Sequence, residues 1–315
     1  MFKDEMDVAE IRDVMKQINP EFYDRYSRID DTDEFYEYMI KPLRTSIRVN
    51  TLKTNVKDVI ERLKEKFELQ VIPWCDEGFF IDANNLGNTM EHQLGLIFVQ
   101  EASSMIPAVV MDVKTNTIVL DMAASPGAKT TQIAQYMENE GCIIANDVKI
   151  DRINILISNL QRCGVLIAKV TMKDGRFFKK YPNTFDAVLL DAPCSNVGMV
   201  RKNFKYLKIW KYRNVLAHSK LQKNLILATY TALKPEGILV YSTCTLDPLE
   251  NEEVIDYLLS NTDAKVEKIK LDVKSHKPIL EFDGKEYNKD VKKCLRIHPQ
   301  DNDTEGFFVA KIVKR

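Results

Sequence analysis

Residues 118–130 read Ile118-Val119-Leu120-Asp121-Met122-Ala123-Ala124-Ser125-Pro126-Gly127-Ala128-Lys129-Thr130. This is a buried strand ending on a carboxylate, a loop of small residues, and the opening of a helix. Outward from it the alternation continues. Strands are expected near 118–122, 142–147, 167–172, 185–190 and 237–243, and helices near 129–138, 149–162, 213–233 and 250–260. Lys234-Pro235-Glu236-Gly237 predicts a turn ahead of the last of those strands. Such alternation predicts an α/β fold with a mainly parallel, doubly wound sheet, which binds ligands beyond the carboxyl ends of its strands. Two more strand candidates, near 293–297 and 306–310, would form an antiparallel edge pair.

Upstream the pattern changes. Residues 1–40 read as helices, with Val8, Ile11, Val14, Met15 and Ile18 at helical spacing. A strand over 45–52 is followed by a helix to about Phe67, which Asn55 can cap. Short strands at 69–73 and 78–81 complete a compact α+β unit over roughly 43–85. The expected organisation is therefore 1–92 for the N-terminal helices plus a small domain, and 93–315 for the main domain. At 315 residues and 45% hydrophobic content, the chain can support both cores. It has no apolar run of about 18 residues, and its acidic opening, residues 1–7, does not read as a signal peptide. Six scattered cysteines without a C-x-x-C pair argue against a zinc site and against a disulfide framework. No metal, no membrane and a reducing cytoplasm are expected.

The net charge of -1 hides an asymmetry: residues 1–40 hold twelve Asp/Glu against five Lys/Arg, whereas 201–223 hold eight Lys/Arg and no Asp/Glu. Phe204, Tyr206, Trp210 and Tyr212 interleave with those cations. Cations beside aromatic faces suit phosphates and unstacked bases, although charge runs are usually only solvated surface.

The small-residue loop excludes one ligand class and suggests another. A Walker A loop would need glycine at 123 and 128, and both are alanine. A helix N-terminus still favours an anion, so a ligand with a carboxylate and no pyrophosphate fits, as S-adenosylmethionine does. Asp147 ends the second strand, 26 residues beyond Asp121, where an acid accepts from ribose hydroxyls. Arg152 follows on the next helix. Asp174, after the third strand, could accept from an adenine amino group.

Two of the cysteines stand apart. Cys194, in Asp191-Ala192-Pro193-Cys194-Ser195-Asn196, and Cys244, in Ser242-Thr243-Cys244-Thr245, each follow a strand at the ligand-binding edge. A thiolate is a soft nucleophile suited to an electron-poor carbon such as C6 of a pyrimidine, provided that its site lowers the free pKa of about 8.5. Asp191, three residues before Cys194, could hydrogen-bond the pyrimidine edge. Cys75, Cys142, Cys163 and Cys294 read as small buried hydrophobes.

These motifs resemble the Sun/NOP-type RNA cytosine-5 methyltransferases, especially the archaeal transfer-RNA members. The resemblance spans nearly the whole chain. It includes Arg48-Val49-Asn50-Thr51-Leu52-Lys53, Gln100-Glu101-Ala102-Ser103-Ser104, the paired Pro-Cys and Thr-Cys motifs, Glu250-Asn251-Glu252, Arg296-Ile297-His298-Pro299 and Glu305-Gly306-Phe307-Phe308. It implies a Rossmann-like class I methyltransferase domain with a small RRM-like α+β RNA-binding domain, and a monomer acting on transfer RNA. It also implies roles. Cys244 would add to C6 of cytosine, Asp191 would bind N3, and Cys194 would help expel the enzyme from the product. Ala123, Ala124, Ser125, Pro126, Gly127, Ala128 and Lys129 would hold the methionine portion of S-adenosylmethionine, with Lys129 in the active site. Asp147 and Arg152 would serve the ribose, Asp174 the adenine, and Asp191 would also border the cofactor. Three positions depart from the usual pattern: Ala123 and Ala128, where relatives often carry Cys and Gly, and Asn196, where Gly is common. A ribosomal-RNA methyltransferase, a non-catalytic RNA-binding protein on the same fold and a small-molecule methyltransferase remain as alternatives.

Overall fold

The computed structural model describes residues 6–83 and 85–315; the first five residues of the acidic opening lie outside the described residues. Four antiparallel strands, β1 (Ser46–Val49), β2 (Leu69–Ile72), β3 (Cys75–Ile81) and β4 (Ile97–Val99), form a small sheet in the order β2-β3-β1-β4. Asn55 caps the helix Val56–Lys64, its side chain accepting from the Asp58 N–H at 2.9 Å. Val59, Ile60 and Leu63 of that helix pack on Ile47, Val49, Phe79 and Ile81.

The strand β4 carries this sheet past the expected boundary at residue 92, because Val49 pairs with Ile97 and Ile47 with Val99. The other face of the sheet packs in large part on the main domain. Arg48 donates to Thr131 Oγ1 at 2.8 Å and Asn50 to the Cys163 carbonyl at 2.8 Å, while Phe80 joins a core with Trp74, Met105 and Ile106. The helices Val8–Ile18, Pro20–Tyr26 and Asp33–Ile40 pack on the large domain. Ile11, Met15, Phe22 and Tyr26 share one core with Trp210 and Leu249, and Asn19 donates to the carbonyls of Leu207 and Trp210, both at 2.9 Å.

The large sheet contains β5 (Thr117–Asp121), β6 (Gly141–Asp147), β7 (Ala168–Met172), β8 (Phe185–Asp191), β9 (Leu233–Thr243) and β10 (Lys265–Glu267). A short hairpin, β11 (Glu281–Phe282) with β12 (Lys285–Glu286), precedes β13 (Leu295–Ile297) and β14 (Phe307–Val313). The order is β7-β6-β5-β8-β9-β14-β10. The first five strands are parallel, β14 runs antiparallel to β9, and β13 pairs with β14 as the edge pattern predicted. The expected turn at 234–237 lies inside β9. There the pairing jumps from Phe185–Leu233 to Ala187–Ile238, with Glu236 at φ 60°. Hydrogen bonds from the Glu236 N–H to the Lys314 carbonyl (2.9 Å) and from the Lys314 N–H to the Gly237 carbonyl (3.2 Å) hold it against the C-terminal strand. Among the described residues, no helix is long and apolar enough to cross a membrane.

The chain reverses its direction of sheet growth at β5, which has β6 on one side and β8 on the other. A crevice opens at the carboxyl ends of strands at such a switch point.

Candidate active site

Asp121 ends β5, Asp147 ends β6 and Asp191 ends β8. The loop after β5 turns through Gly127, whose φ of 102° suits glycine and whose Cβ, were there one, would meet Leu156 Cδ1 at 3.0 Å. Gly127 then starts the helix Ala128–Tyr136, which no side chain caps, so its first N–H groups are open to an anion. A cavity of about 330 Å³ lies over these strand ends, within the size range of small-molecule sites. Ala123, Ser125, Asp147, Arg152, Asp174, Asp191, Cys194 and Cys244 line it. A second cavity, of about 290 Å³, is lined by Ala123, Ala124, Ser125, Pro126, Ala128, Lys129, Asp191 and Cys244, together with Gln100, Glu101, Lys202, Glu305 and Phe307. Cys244 and Asp191 border both; Cys194 borders only the first.

The thiols meet because β8 and β9 are neighbours in register, Asp191 beside Ser242. The Sγ atoms of Cys194 and Cys244 are 3.4 Å apart. The Ala192 N–H donates to the Ser242 carbonyl (2.8 Å) and the Gly198 N–H to the Cys244 carbonyl (2.9 Å), tying the two loops together. Gly198 is required by close approach: a Cβ there would lie 2.0 Å from the Gly306 carbonyl oxygen. Hydrogen bonding to Cys194, then burial, pushes the Cys244 thiol well above its usual range. Lys129 Nζ donates to Asp191 Oδ2 (2.8 Å) and Ser104 Oγ (2.9 Å), and Ser242 Oγ donates to Asp191 Oδ1 (2.7 Å). Burial alone would lower the Lys129 pKa, but Asp191 outweighs it and the ammonium is held above its ordinary value.

The remaining acids are less free than their positions suggested. Asp147 is buried. Its Oδ1 accepts from the Val148 N–H (2.8 Å) and the Lys149 N–H (3.3 Å), and its Oδ2 from the Ser125 N–H (3.3 Å), with Arg152 Nε 3.2 Å away. A bound hydroxyl has to compete for those lone pairs. Arg152 also donates to the Ser125 carbonyl at 2.6 Å, bracing the small-residue loop. Asp174 borders the cavity, but it accepts from Arg176 Nε at 2.9 Å and Arg176 Nη2 at 2.5 Å, which holds its carboxyl below the usual range.

The basic stretch divides. Arg201 is buried, donating to the carbonyls of Lys41, Pro42 and Thr304, and Trp210 sits against Phe22 and Tyr26 in the core. Tyr212 lies under the Arg25 guanidinium, whose carbon is 4.6 Å from the ring centroid. Trp210 and Tyr212 thus fasten the N-terminal helices. Lys202, Lys205, Lys208, Lys211 and Arg213 remain exposed.

The sequence reading gave no role to several site residues. Asn146 ties three strand ends, its Nδ2 donating to the carbonyls of Met122 (3.0 Å) and Lys173 (2.9 Å) and its Oδ1 accepting from Thr171 Oγ1 (2.9 Å). Asn196 adopts the left-handed conformation at φ 58°, the backbone reason that glycine is common there, and its Oδ1 lies 3.1 Å from Cys244 Sγ. Glu250 accepts from the Ser195 N–H (3.0 Å) and Gln222 Nε2 (2.9 Å), and burial pushes its carboxyl up to about 8. Glu250, Asn251 and Glu252 had been quoted together only as a motif; Asn251 and Glu252 brace the loop after Cys244, through Thr243, Thr245 and Arg296.

A switch-point cleft of this size, floored by small residues and closed by a lysine–aspartate pair and two thiols, defines an S-adenosylmethionine-dependent methyltransferase on a Rossmann-like sheet. Residues 108–313 match the family described as 16S rRNA methyltransferase RsmB/F, and residues 18–102 match the N-terminal domain of 16S rRNA methyltransferase RsmF. The chain belongs to this RsmB/F methyltransferase family. It is 61% identical over 306 residues to a tRNA (cytosine(49)-C(5))-methyltransferase of Pyrococcus abyssi, covering 96% of this chain and 98% of that one. It is 46% identical to the ribosomal RNA small subunit methyltransferase F of Vibrio atlanticus over 90% of its length, but spans only 60% of that protein. A crystal structure of a methyltransferase homolog from Pyrococcus horikoshii superimposes with a TM-score of 0.87 at 37% identity, covering 97% of this chain and 99% of the other.

Proposed function

We propose that this enzyme methylates C5 of a cytosine in transfer RNA through a covalent adduct at C6. The observation that carries the reading is the pair of thiols 3.4 Å apart where the two cavities meet. The identity of 61% to a protein named as a transfer-RNA cytosine-5 methyltransferase supports the choice of RNA.

S-adenosylmethionine, when bound, supplies an electrophilic methyl group. Residues 123–129 with Asp147 and Arg152 would hold it, in a cleft whose small side chains and uncapped helix N-terminus fit a carboxylate-bearing nucleoside. Asp174 would serve the adenine side, with Arg176 keeping its carboxyl charged.

Cys244 is the nucleophile in this reading, because it borders both cavities. Its thiol proton must leave before attack, and Lys129, whose charge interacts with it, favours the thiolate. Cytosine N3 accepts rather than donates, so Asp191, positioned by Ser242 and Lys129, would meet it as a protonated carboxyl, taking up the proton that the Cys244 thiol gives up and passing it to N3 as C6 is attacked. Cys194 borders only the first cavity and would act in release: once C5 carries its methyl group, loss of the C5 proton to a base there re-forms the C5–C6 double bond and breaks the bond from C6 to Cys244 Sγ. The 43–99 unit would act with the main domain as part of one RNA-binding surface; its sheet face, buried against Thr131 and Cys163, leaves the edges and loops for contact.

The test is bisulfite sequencing of transfer and ribosomal RNA after incubation with enzyme and cofactor. A newly protected cytosine in transfer RNA is expected. Protection confined to ribosomal RNA would move the substrate, and no protected cytosine would defeat the reading.

A further inference from the structure

The 290 Å³ cavity has a charged wall: Asp191, Lys129, Lys202, Glu101, Glu305 and Asp121. Most of its acceptors are occupied. Ser242 and Lys129 hold Asp191, and Ser103 with the Ser104 N–H hold Glu101 Oε2. Glu305 differs. It is 4% exposed, and its N–H is fixed to Glu101 Oε1 at 3.1 Å. Its Oε1 has no hydrogen-bond donor among the described residues. Lys202 Nζ stands 3.7 Å from that oxygen, an ion pair too long for a hydrogen bond. Asp121 Oδ1 also lacks a donor, but that carboxyl sits beneath the helix start on Thr130. The Glu305 charge is close enough to Cys244 to contribute to raising its thiol. Gln100 leaves a second acceptor in the same wall, Oε1, without a donor.

We propose that Glu305 is a specificity-determining residue, its carboxylate accepting from the exocyclic amine of the target cytosine and so rejecting uracil. This rests on the cytosine reading above. In a pyrimidine the 4-substituent neighbours both N3 and C5, so a group beside Asp191 and Cys244 is placed to meet it. Cytosine presents N–H donors there; uracil presents a carbonyl oxygen, which a carboxylate repels. Burial, then the like charge of Glu101, pushes the free Glu305 carboxyl up to about 8; the amine's N–H donors favour its charged form, so cytosine, unlike uracil, stabilises the acceptor that holds it. Sites built to hydrogen-bond one group discriminate strongly against an analogue that cannot.

The experiment uses the full-length enzyme, S-adenosylmethionine, and transcripts with 5-fluorocytosine or 5-fluorouracil at the methylated position. Fluorine at C5 blocks elimination, so each successful attack leaves a covalent adduct that can be counted. Wild type should trap the cytosine analogue alone. Glu305→Gln, whose amide both donates and accepts, should narrow the cytosine-to-uracil adduct ratio at least tenfold, with cofactor affinity unchanged. Glu305→Asp, which withdraws the oxygen, should lose cytosine adduct without gaining uracil adduct. Lys202→Ala should weaken RNA affinity and keep the ratio. An unchanged ratio in Glu305→Gln, or the same narrowing in Lys202→Ala, would overturn the proposal. Absence of any wild-type adduct would instead sink the cytosine reading itself, and Glu305's role with it.

Discussion

Cys194 and Cys244 hold their sulfur atoms 3.4 Å apart across the ends of two neighbouring parallel strands, although fifty residues separate them in the chain. Two thiols this close share one reacting centre, yet only Cys244 also borders the second cavity. Their variants should therefore differ in kind. Cys244→Ala should bind cofactor and form no adduct with RNA. Cys194→Ala should attack and then stall, accumulating a protein–RNA species that survives a denaturing gel. A stable adduct with Cys244→Ala instead would reverse the assignment.

The same contact sets a pH dependence. Cys244 is pushed well above its ordinary range, first by hydrogen bonding to Cys194 and then by burial. A raised thiol pKa leaves little thiolate at neutral pH. Alkylation of Cys244 by iodoacetamide, followed by peptide mass spectrometry, should therefore rise about tenfold per pH unit, without levelling off by about pH 9. Cys194→Ala removes the largest cause, so its profile should shift to lower pH. Superimposable profiles would show that Cys194 does not govern the nucleophile's proton.

Asp147 sits where a ribose would be held, but its oxygens already accept from the Val148, Lys149 and Ser125 N–H groups. Asp147→Ala should weaken S-adenosylmethionine binding by about 1–3 kcal/mol, in part by releasing the loop at Ser125. Calorimetric titration with unchanged affinity would remove Asp147 from the site.

The exposed part of the basic stretch should act through phosphates. Replacing Lys202, Lys205 and Lys208 by alanine should lower RNA affinity and reduce the slope of log affinity against log salt by about 2–3. Cofactor affinity should not move. An unaltered slope would leave these lysines as solvated surface.

Arg296 and Glu252 form a fully buried ion pair, with two contacts of 2.7 Å, and Arg296 Nη1 also donates to the Leu246 carbonyl at 2.9 Å, two residues beyond Cys244. Glu252→Ala would strand a guanidinium in the core and should cost about 3–5 kcal/mol in urea unfolding. A loss below about 1 kcal/mol would mean that water reaches Arg296.

Much of this could be read from local order. The strand–loop–helix pattern around Asp121, the alternation behind it, the Asn55 cap, and the thiols at Cys194 and Cys244 all depend on neighbours in the chain, and periodicity and small-residue loops are local signals. They carried the parallel sheet, the cofactor cleft and the nucleophile candidates. What escaped depends on residues far apart in sequence. The β4 strand is three residues long and gains its identity from pairing with β1. Trp210 and Arg201 belong to a basic run that suits RNA, but the helices of the first forty residues fold back over Trp210, and the carbonyls of Lys41, Pro42 and Thr304 hold Arg201 in the interior. Asn196 was visible only as a departure from glycine; its left-handed backbone and its contact with Cys244 appear once β8 and β9 lie side by side. Glu305 meets Glu101 from 204 residues away. Residue type and spacing reveal which side chains can do chemistry. Their partners and burial, and so their charge and reach, follow from packing between segments that no local pattern joins.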